Sequence, residues 1–262
     1  MKIERYVVDG VFVEHAAPEG TTAAPPIVFV HGGSHGSWLW ENWLPYYADL
    51  GRHSYAFSWF NHTGSQDLPT EEFVQRSMLD ATRELDIVVS HIGREPVLVA
   101  HSMGAAVAQK YSENHPVRAQ VLLAPVPCTA SAGEAIPLPV DLSAPFPPMP
   151  YDMAVQWFFA GCTEQDARRY HGLMPDESPK AVWEAAQRGA AIELDRTRVS
   201  GPMLVIAGGQ DVVSPAPLVR EHAAHFGADY LYLADRAHSL ILEPRWREVA
   251  DRVNSWLSRT AW

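Results

Sequence analysis

Cysteine is nearly missing from this chain: two thiols, Cys128 and Cys162, stand among 262 residues. Two thiols build no disulfide framework. Both are expected free and buried, acting as small hydrophobes in a cytoplasmic setting. Positive charge is also scarce, with Lys and Arg totalling 20 against 31 Asp and Glu, a net charge of −11. That balance argues against a nucleic acid or an anionic membrane as partner. No apolar run approaches the roughly 20 residues of a membrane span. The opening Met1-Lys2-Ile3-Glu4-Arg5 has no apolar stretch behind it and does not read as a signal peptide. The glycine-rich stretch His31-Gly32-Gly33-Ser34-His35-Gly36 lacks both the G-x-G-x-x-G pattern and the Gly-Lys-Ser/Thr ending of phosphate-binding loops. H-E-x-x-H is absent, and no Asp, Glu or Cys joins His31 and His35 at a ligand spacing, so no metal and no cofactor is expected.

What is present alternates. Short apolar runs rich in branched residues are interleaved with helical patterns, which predicts an α/β fold with a mostly parallel sheet and helices on both faces. The opening segments 3–9 and 11–15 read as a hairpin around Asp9-Gly10. Helices are predicted over 40–49, 70–91, 102–114, 217–226 and 246–258. The length suits one domain with an insertion. The rhythm breaks over 126–197. Pro137, Pro139, Pro145, Pro147, Pro148 and Pro150 forbid regular helix or central strand in the first half of that stretch. Three short helices follow, over 151–159, 164–172 and 179–189. The expected organisation is a core made of 1–125 and 198–262, with 126–197 as a helical lid. The Trp256, Leu257 and Trp262 end is expected to dock either on the core or on a second subunit, leaving a homodimer open.

The most informative stretch is Leu98-Val99-Ala100-His101-Ser102-Met103-Gly104. A strand pattern ends abruptly at Ser102 and a small-residue helix follows. This is the context of a nucleophile elbow, where the turn strains the nucleophile and only small residues fit two positions to either side. Ala100 and Gly104 meet that need, although glycine is commoner at the first. The competing reading is an ordinary turn with Ser102 at a helix N-cap. A serine hydroxyl needs a base, and the base needs an orienting acid. Asp211 follows the apolar run 202–208, and His238 follows the run 230–233. Ser102, Asp211 and His238 thus come in the chain order of an elbow-type triad, each past a strand end. Asp235 is the rival acid, but it shares a loop with His238. Glu134 and Asp141 lie too far from the preceding strand.

A developing oxyanion needs two convergent N–H donors. Met103, directly after Ser102, supplies one. Gly33, in the loop after strand 27–30, is assigned the second, with Ser34 its nearest competitor.

Together, His31-Gly32-Gly33, the elbow around Ser102, the run from Gly208 to Asp211 and the segment from His238 to Pro244 resemble the α/β-hydrolase superfamily over nearly the whole chain. The resemblance implies an α/β-hydrolase fold: an eight-stranded, mostly parallel sheet with helices on both faces and a helical lid after strand six. The loop His31 to Trp40 is similar to that of the small esterase and hydroxynitrile-lyase branch, where the residue after His-Gly donates to the oxyanion. One segment departs from the family. Ser58-Trp59-Phe60-Asn61-His62-Thr63-Gly64-Ser65 replaces the usual Asp-x-Arg-Gly-His-Gly-x-Ser. Trp59 and Phe60 are therefore expected as apolar rings near the site mouth. In the lid, Phe146, Met149, Trp157, Phe158 and Phe159 are apolar. Most are expected to anchor it, with Phe146, Trp157 and Phe158 facing substrate alongside Ser34. The expected activity is hydrolysis of a carboxylic ester or lactone of an apolar small molecule. The alternatives are a lyase of the hydroxynitrile type, disfavoured by Gly32 and Ser239 where relatives resemble a Thr and Lys pattern, and a non-catalytic receptor.

Overall fold

The computed structural model describes residues 3–260; the expected docking of Trp262 lies outside them. The chain opens with β1 (Ile3–Val8) and β2 (Val11–Ala16), an antiparallel hairpin turning at Asp9-Gly10. β3 (Ile27–Val30), helix α1 (Trp43–Asp49) and β4 (Ser54–Phe57) follow. After them come α2 (Thr70–Phe73), α3 (Thr82–Ile92), β5 (Val97–His101), α4 (Met103–Ser112) and β6 (Ala119–Leu123). The chain then leaves the sheet and carries α5 (Tyr151–Trp157), α6 (Glu164–His171) and α7 (Pro179–Ala186). It returns for β7 (Met203–Gly208), α8 (Ala216–Phe226), β8 (Asp229–Leu233) and α9 (Trp246–Thr260). The strand order is β1-β2-β4-β3-β5-β6-β7-β8, parallel from β4 to β8.

The central strands are buried on both faces, so their side chains feed two cores by simple alternation. Phe29, Val99, Val121 and Ile206 point to one side, where Trp40, Trp43, Tyr47 and the apolar stripe of α9 pack. Val28, Leu98, Leu122 and Val205 point to the other, against α3, α4 and α8. Trp256 and Leu257 belong to the first core, and Trp256 Nε1–H donates to Asp229 Oδ2 at 2.6 Å. Among the described residues, no helix is long and apolar enough to cross a membrane. Both cysteines are free; Cys128 is buried and Cys162 partly so, where burial pushes its thiol up to about 12.

Two sequence expectations change in detail. The helix expected over 70–91 is broken. It ends at Phe73, and extended Ser77 starts the chain anew: its N–H donates to Asp80 Oδ2 at 2.8 Å and its hydroxyl to Glu184 Oε2 at 2.8 Å. A short 3₁₀ turn, Met78–Ala81, intervenes before α3. The helix expected over 40–49 begins at Trp43, because Ser37–Trp40 forms a separate 3₁₀ turn.

The start of α4 packs backbone to backbone on the end of β3 and the residue after it. A Cβ on Gly104 would sit 2.3 Å from the His31 carbonyl oxygen and 2.7 Å from that of Val30. Backbone cannot yield as a flexible side chain does. Gly104→Ala is therefore expected to destabilise the fold by about 1–3 kcal/mol. A calorimetric scan checks this, and a melting temperature equal to wild type would contradict it.

Candidate active site

Each candidate side chain stands just past the carboxyl end of a parallel strand, where ligands of such sheets bind. Ser102 follows β5, Asp211 follows β7 and His238 follows β8. Ser102 holds φ 54° and ψ −122°, a conformation that costs a non-glycine residue about 1–3 kcal/mol. Neighbouring strands hold it there. Its N–H donates to Leu123 O at 3.0 Å, and its carbonyl accepts from Val126 N and Ala105 N, both at 3.1 Å. Ser102 stands at the N-cap of α4, as the competing reading has it, but its hydroxyl makes no capping bond to the helix. It lies instead 3.1 Å from His238 Nε2.

His238 Nδ1 lies 2.9 Å from Asp211 Oδ2. A carboxylate only accepts, so Nδ1 carries the proton and Nε2 is free to accept from Ser102. The second carboxylate oxygen, Oδ1, accepts N–H groups from Val213 at 2.8 Å and Ser214 at 2.9 Å, which fixes the plane of the acid. The rival Asp235 is half exposed and paired with Arg245 and Arg236, away from His238. His101 secures the base from behind: its Nε2–H donates to the His238 carbonyl at 3.0 Å. Burial first, then His238 and His35, hold the His101 pKa well below the ordinary 6.5, so its ring is neutral.

The loop after β3 faces Ser102. Gly33, Ser34, Ser102 and Met103 share the wall of one cavity, which opens partly to solvent. Ser34, with φ 55°, has its N–H taken by Glu177 Oε2 at 2.7 Å. Met103 is the first residue of α4, so its N–H has no partner within the helix. Phe146, Met149, Trp157 and Phe158 also line the cavity, with Ile136 and Leu138 among others; Phe159 is instead buried in the core.

Trp59 and Phe60 do not line this cavity. Both rings are buried in a neighbouring small pocket with His62, Arg76 and Glu177. The backbone draws them in: Trp59 N–H donates to His31 Nε2 at 3.1 Å, and Phe60 N–H donates to Glu84 Oε1 at 2.9 Å. Arg76 and Arg83 then cover the Phe60 ring. His31 and His35 serve the loop itself, bonding the Gly32 and Gly33 carbonyls through Nδ1. Burial lowers both, His35 to about 4. Among the described residues, no three His, Cys, Asp or Glu side chains are grouped to hold a metal ion.

Sequence reasoning missed His62 and Glu177. Glu177, from the segment before α7, accepts the Ser34 N–H and lies 3.0 Å from His62 Nε2, both side chains almost fully buried. Its other oxygen accepts Ser178 N–H at 2.8 Å. His62 Nδ1 faces the Phe60 carbonyl at 2.9 Å. Both ring nitrogens thus face acceptors, and only an imidazolium satisfies both. Burial alone would lower His62, but the Glu177 carboxylate outweighs it and the net shift is upward. Burial alone would raise Glu177, but His62 and the two N–H donors bring it below its ordinary value. No motif flags an ion pair between positions so distant in sequence.

These features define a serine, histidine and aspartate relay held over an α/β sheet beside a largely apolar cavity. The chain belongs to the alpha/beta hydrolase family, whose model matches residues 27–252. No curated protein sequence matches it. Among solved structures it is similar to the enol-lactonase from Burkholderia xenovorans LB400, at 16% identity and a TM-score of 0.72, covering 97% of this chain and 100% of that one. An esterase from Exiguobacterium antarcticum is similar at 16% identity and a TM-score of 0.72, with 95% of each chain covered. Est816, described as an N-acyl homoserine lactone degrading enzyme, is similar at 20% identity and a TM-score of 0.66, covering 97% and 100%.

The shifts of His62 and Glu177 carry a pH signature. His62 is raised above 6.5, so its contribution is whole below that value and is lost as pH rises through the raised one. Glu177 is lowered below 4.5, so its contribution is whole above that value and is lost as pH falls through the lowered one. Glu177→Gln is expected to cost about 3–5 kcal/mol near pH 5.5 and less near pH 9. Denaturant titrations of both proteins at the two pH values check this; equal losses would show that the cost does not come from the charge on His62.

Proposed function

We propose that this protein is a serine hydrolase that cleaves a carboxylic ester or lactone of a largely apolar small molecule. The observation that carries the reading is the continuous hydrogen-bond relay from Asp211 through His238 to Ser102, whose hydroxyl opens onto an apolar cavity. The fold shared with an enol-lactonase and an esterase is consistent with it.

In this mechanism Asp211 keeps the proton on His238 Nδ1. His238 Nε2 takes the Ser102 proton as Oγ attacks the carbonyl carbon. The tetrahedral oxyanion is met by the N–H groups of Met103 and Gly33. Gly33 takes this role rather than Ser34 because the Ser34 N–H already donates to Glu177. The N-terminus of α4 adds its positive dipole end. Collapse breaks the bond to the alcohol oxygen, which receives the proton from His238. Water then attacks the acyl-enzyme, giving its proton to His238, and the carboxylic acid leaves as Ser102 recovers its own. With a lactone the released alcohol stays joined to the acyl chain.

Ser102→Ala is expected to abolish hydrolysis of a panel of p-nitrophenyl esters and simple lactones while leaving the fold intact. Asp211→Asn is expected to lower kcat by about 10⁴-fold, because it permits the wrong tautomer of His238. Side-by-side kinetics with circular dichroism test both. Turnover retained in folded Ser102→Ala would overturn the assignment.

A further inference from the structure

The cavity beside Ser102 is apolar except for three serines and one formal charge, Arg188. Arg188 has no carboxylate within 4.0 Å among the described residues. This is unexpected in a chain with 31 acidic and 20 basic side chains, where acids are plentiful. Its Nη2–H donates to the Val212 carbonyl at 2.8 Å. Its Nε is buried and has no acceptor among the described residues. A buried donor left unmatched is rare and costly in native proteins.

The backbone beneath this side chain is held in an unusual place. Arg188 has φ 43°, uncommon for a residue with a side chain. Its N–H donates to Ala185 O and its carbonyl accepts from Gly133 N, both at 2.9 Å. The guanidinium is therefore presented from a fixed turn that follows α7. It reaches across to the loop that carries Asp211, and it puts a cation on the wall of a cavity otherwise suited to hydrocarbon.

We infer that Arg188 selects substrates whose apolar body ends in a carboxylate. This rests on the hydrolase reading above and names its substrate class: an ester, lactone or thioester that keeps a free acid at the end remote from the scissile bond. The planar guanidinium has five N–H donors, of which the structure occupies one. A carboxylate can take two of the others in parallel. A phosphate, with more charge to neutralise, would call for further cations, and no other charged side chain lines the cavity.

The test uses matched ester pairs. On the acyl side, mono-p-nitrophenyl adipate and suberate are compared with neutral p-nitrophenyl esters of equal chain length. On the alcohol side, the hexanoate of 4-hydroxybenzoic acid is compared with that of 4-hydroxybenzamide. Wild type is expected to show a higher kcat/KM for the acid than for its neutral partner in at least one series. Arg188→Met is expected to lower that acid-to-neutral ratio by about 10- to 100-fold, and Arg188→Lys to retain part of it. A second measurement reads binding: the preference for hexanoate over hexanamide as inhibitors, to which the oxyanion donors also contribute, is expected to shrink in Arg188→Met and to stay unchanged if Arg188 does not bind the acid. No preference for the acid in either series would overturn the inference. So would equal losses on acid and neutral esters in Arg188→Met, which would mark Arg188 as a strap acting through Val212. The hydrolase reading fails separately. If no ester in the panel is turned over in a Ser102-dependent manner, calorimetric titration of wild type and Arg188→Met with hexanoate and hexanamide still reads the carboxylate preference, and equal preferences in the two proteins would overturn it.

Discussion

The missing Cβ of Gly104 lets helix α4 press its first turn against the carbonyls of Val30 and His31. Three things depend on that contact. It sets the sharp turn that holds Ser102 at φ 54°. It brings the start of α4, with the Met103 N–H, beside the loop after β3. It also fixes the distance between that loop and the Ser102 hydroxyl. The strain at Ser102 persists because β6 and the loop after it grip the turn: Leu123 O takes its N–H and Val126 N–H takes its carbonyl. A turn so over-determined cannot relax to an ordinary cap.

Around this turn the protein sorts its histidines by burial and partner. His31, His35 and His101 are desolvated and neutral, and they serve as donors or acceptors for nearby backbone. His62 alone among the four stays charged, because Glu177 is within 3.0 Å of it. The same carboxylate occupies the Ser34 N–H. One side chain thereby ties the segment between β6 and β7 to the loops after β3 and β4. The Phe146–Glu177 backbone bridge brings a cavity-lining ring to the same place. The geometry around Ser102 and the shape of the cavity are in this way coupled through a single buried group.

Much of this was legible in the chain. Alternation of short β-branched runs with helical patterns foretold the parallel sheet, because strands buried on both faces must be apolar throughout. Small residues at 100 and 104 marked the elbow, since the turn excludes larger ones. Asp211 and His238 were legible because parallel strands deliver their next residues to one edge. Trp59 and Phe60 were misjudged for an equally physical reason. An apolar ring beside a site reads the same whether it lines the cavity or the core. Its direction depended on backbone hydrogen bonds to His31 and Glu84, which no local pattern encodes.

The break at Ser77 has the same origin. Its hydroxyl is held by Glu184, more than a hundred residues away, and helical periodicity carries no trace of such a partner. The sequence by itself determined the sheet, the elbow and the order of serine, acid and base, because these follow from local sterics and from the period of burial. Only the tertiary structure decided which rings reach the cavity, which acid holds the Ser34 N–H, and that Arg188 stands there without a carboxylate among the described residues. Those outcomes depend on pairings between distant segments, which packing selects and local chemistry does not.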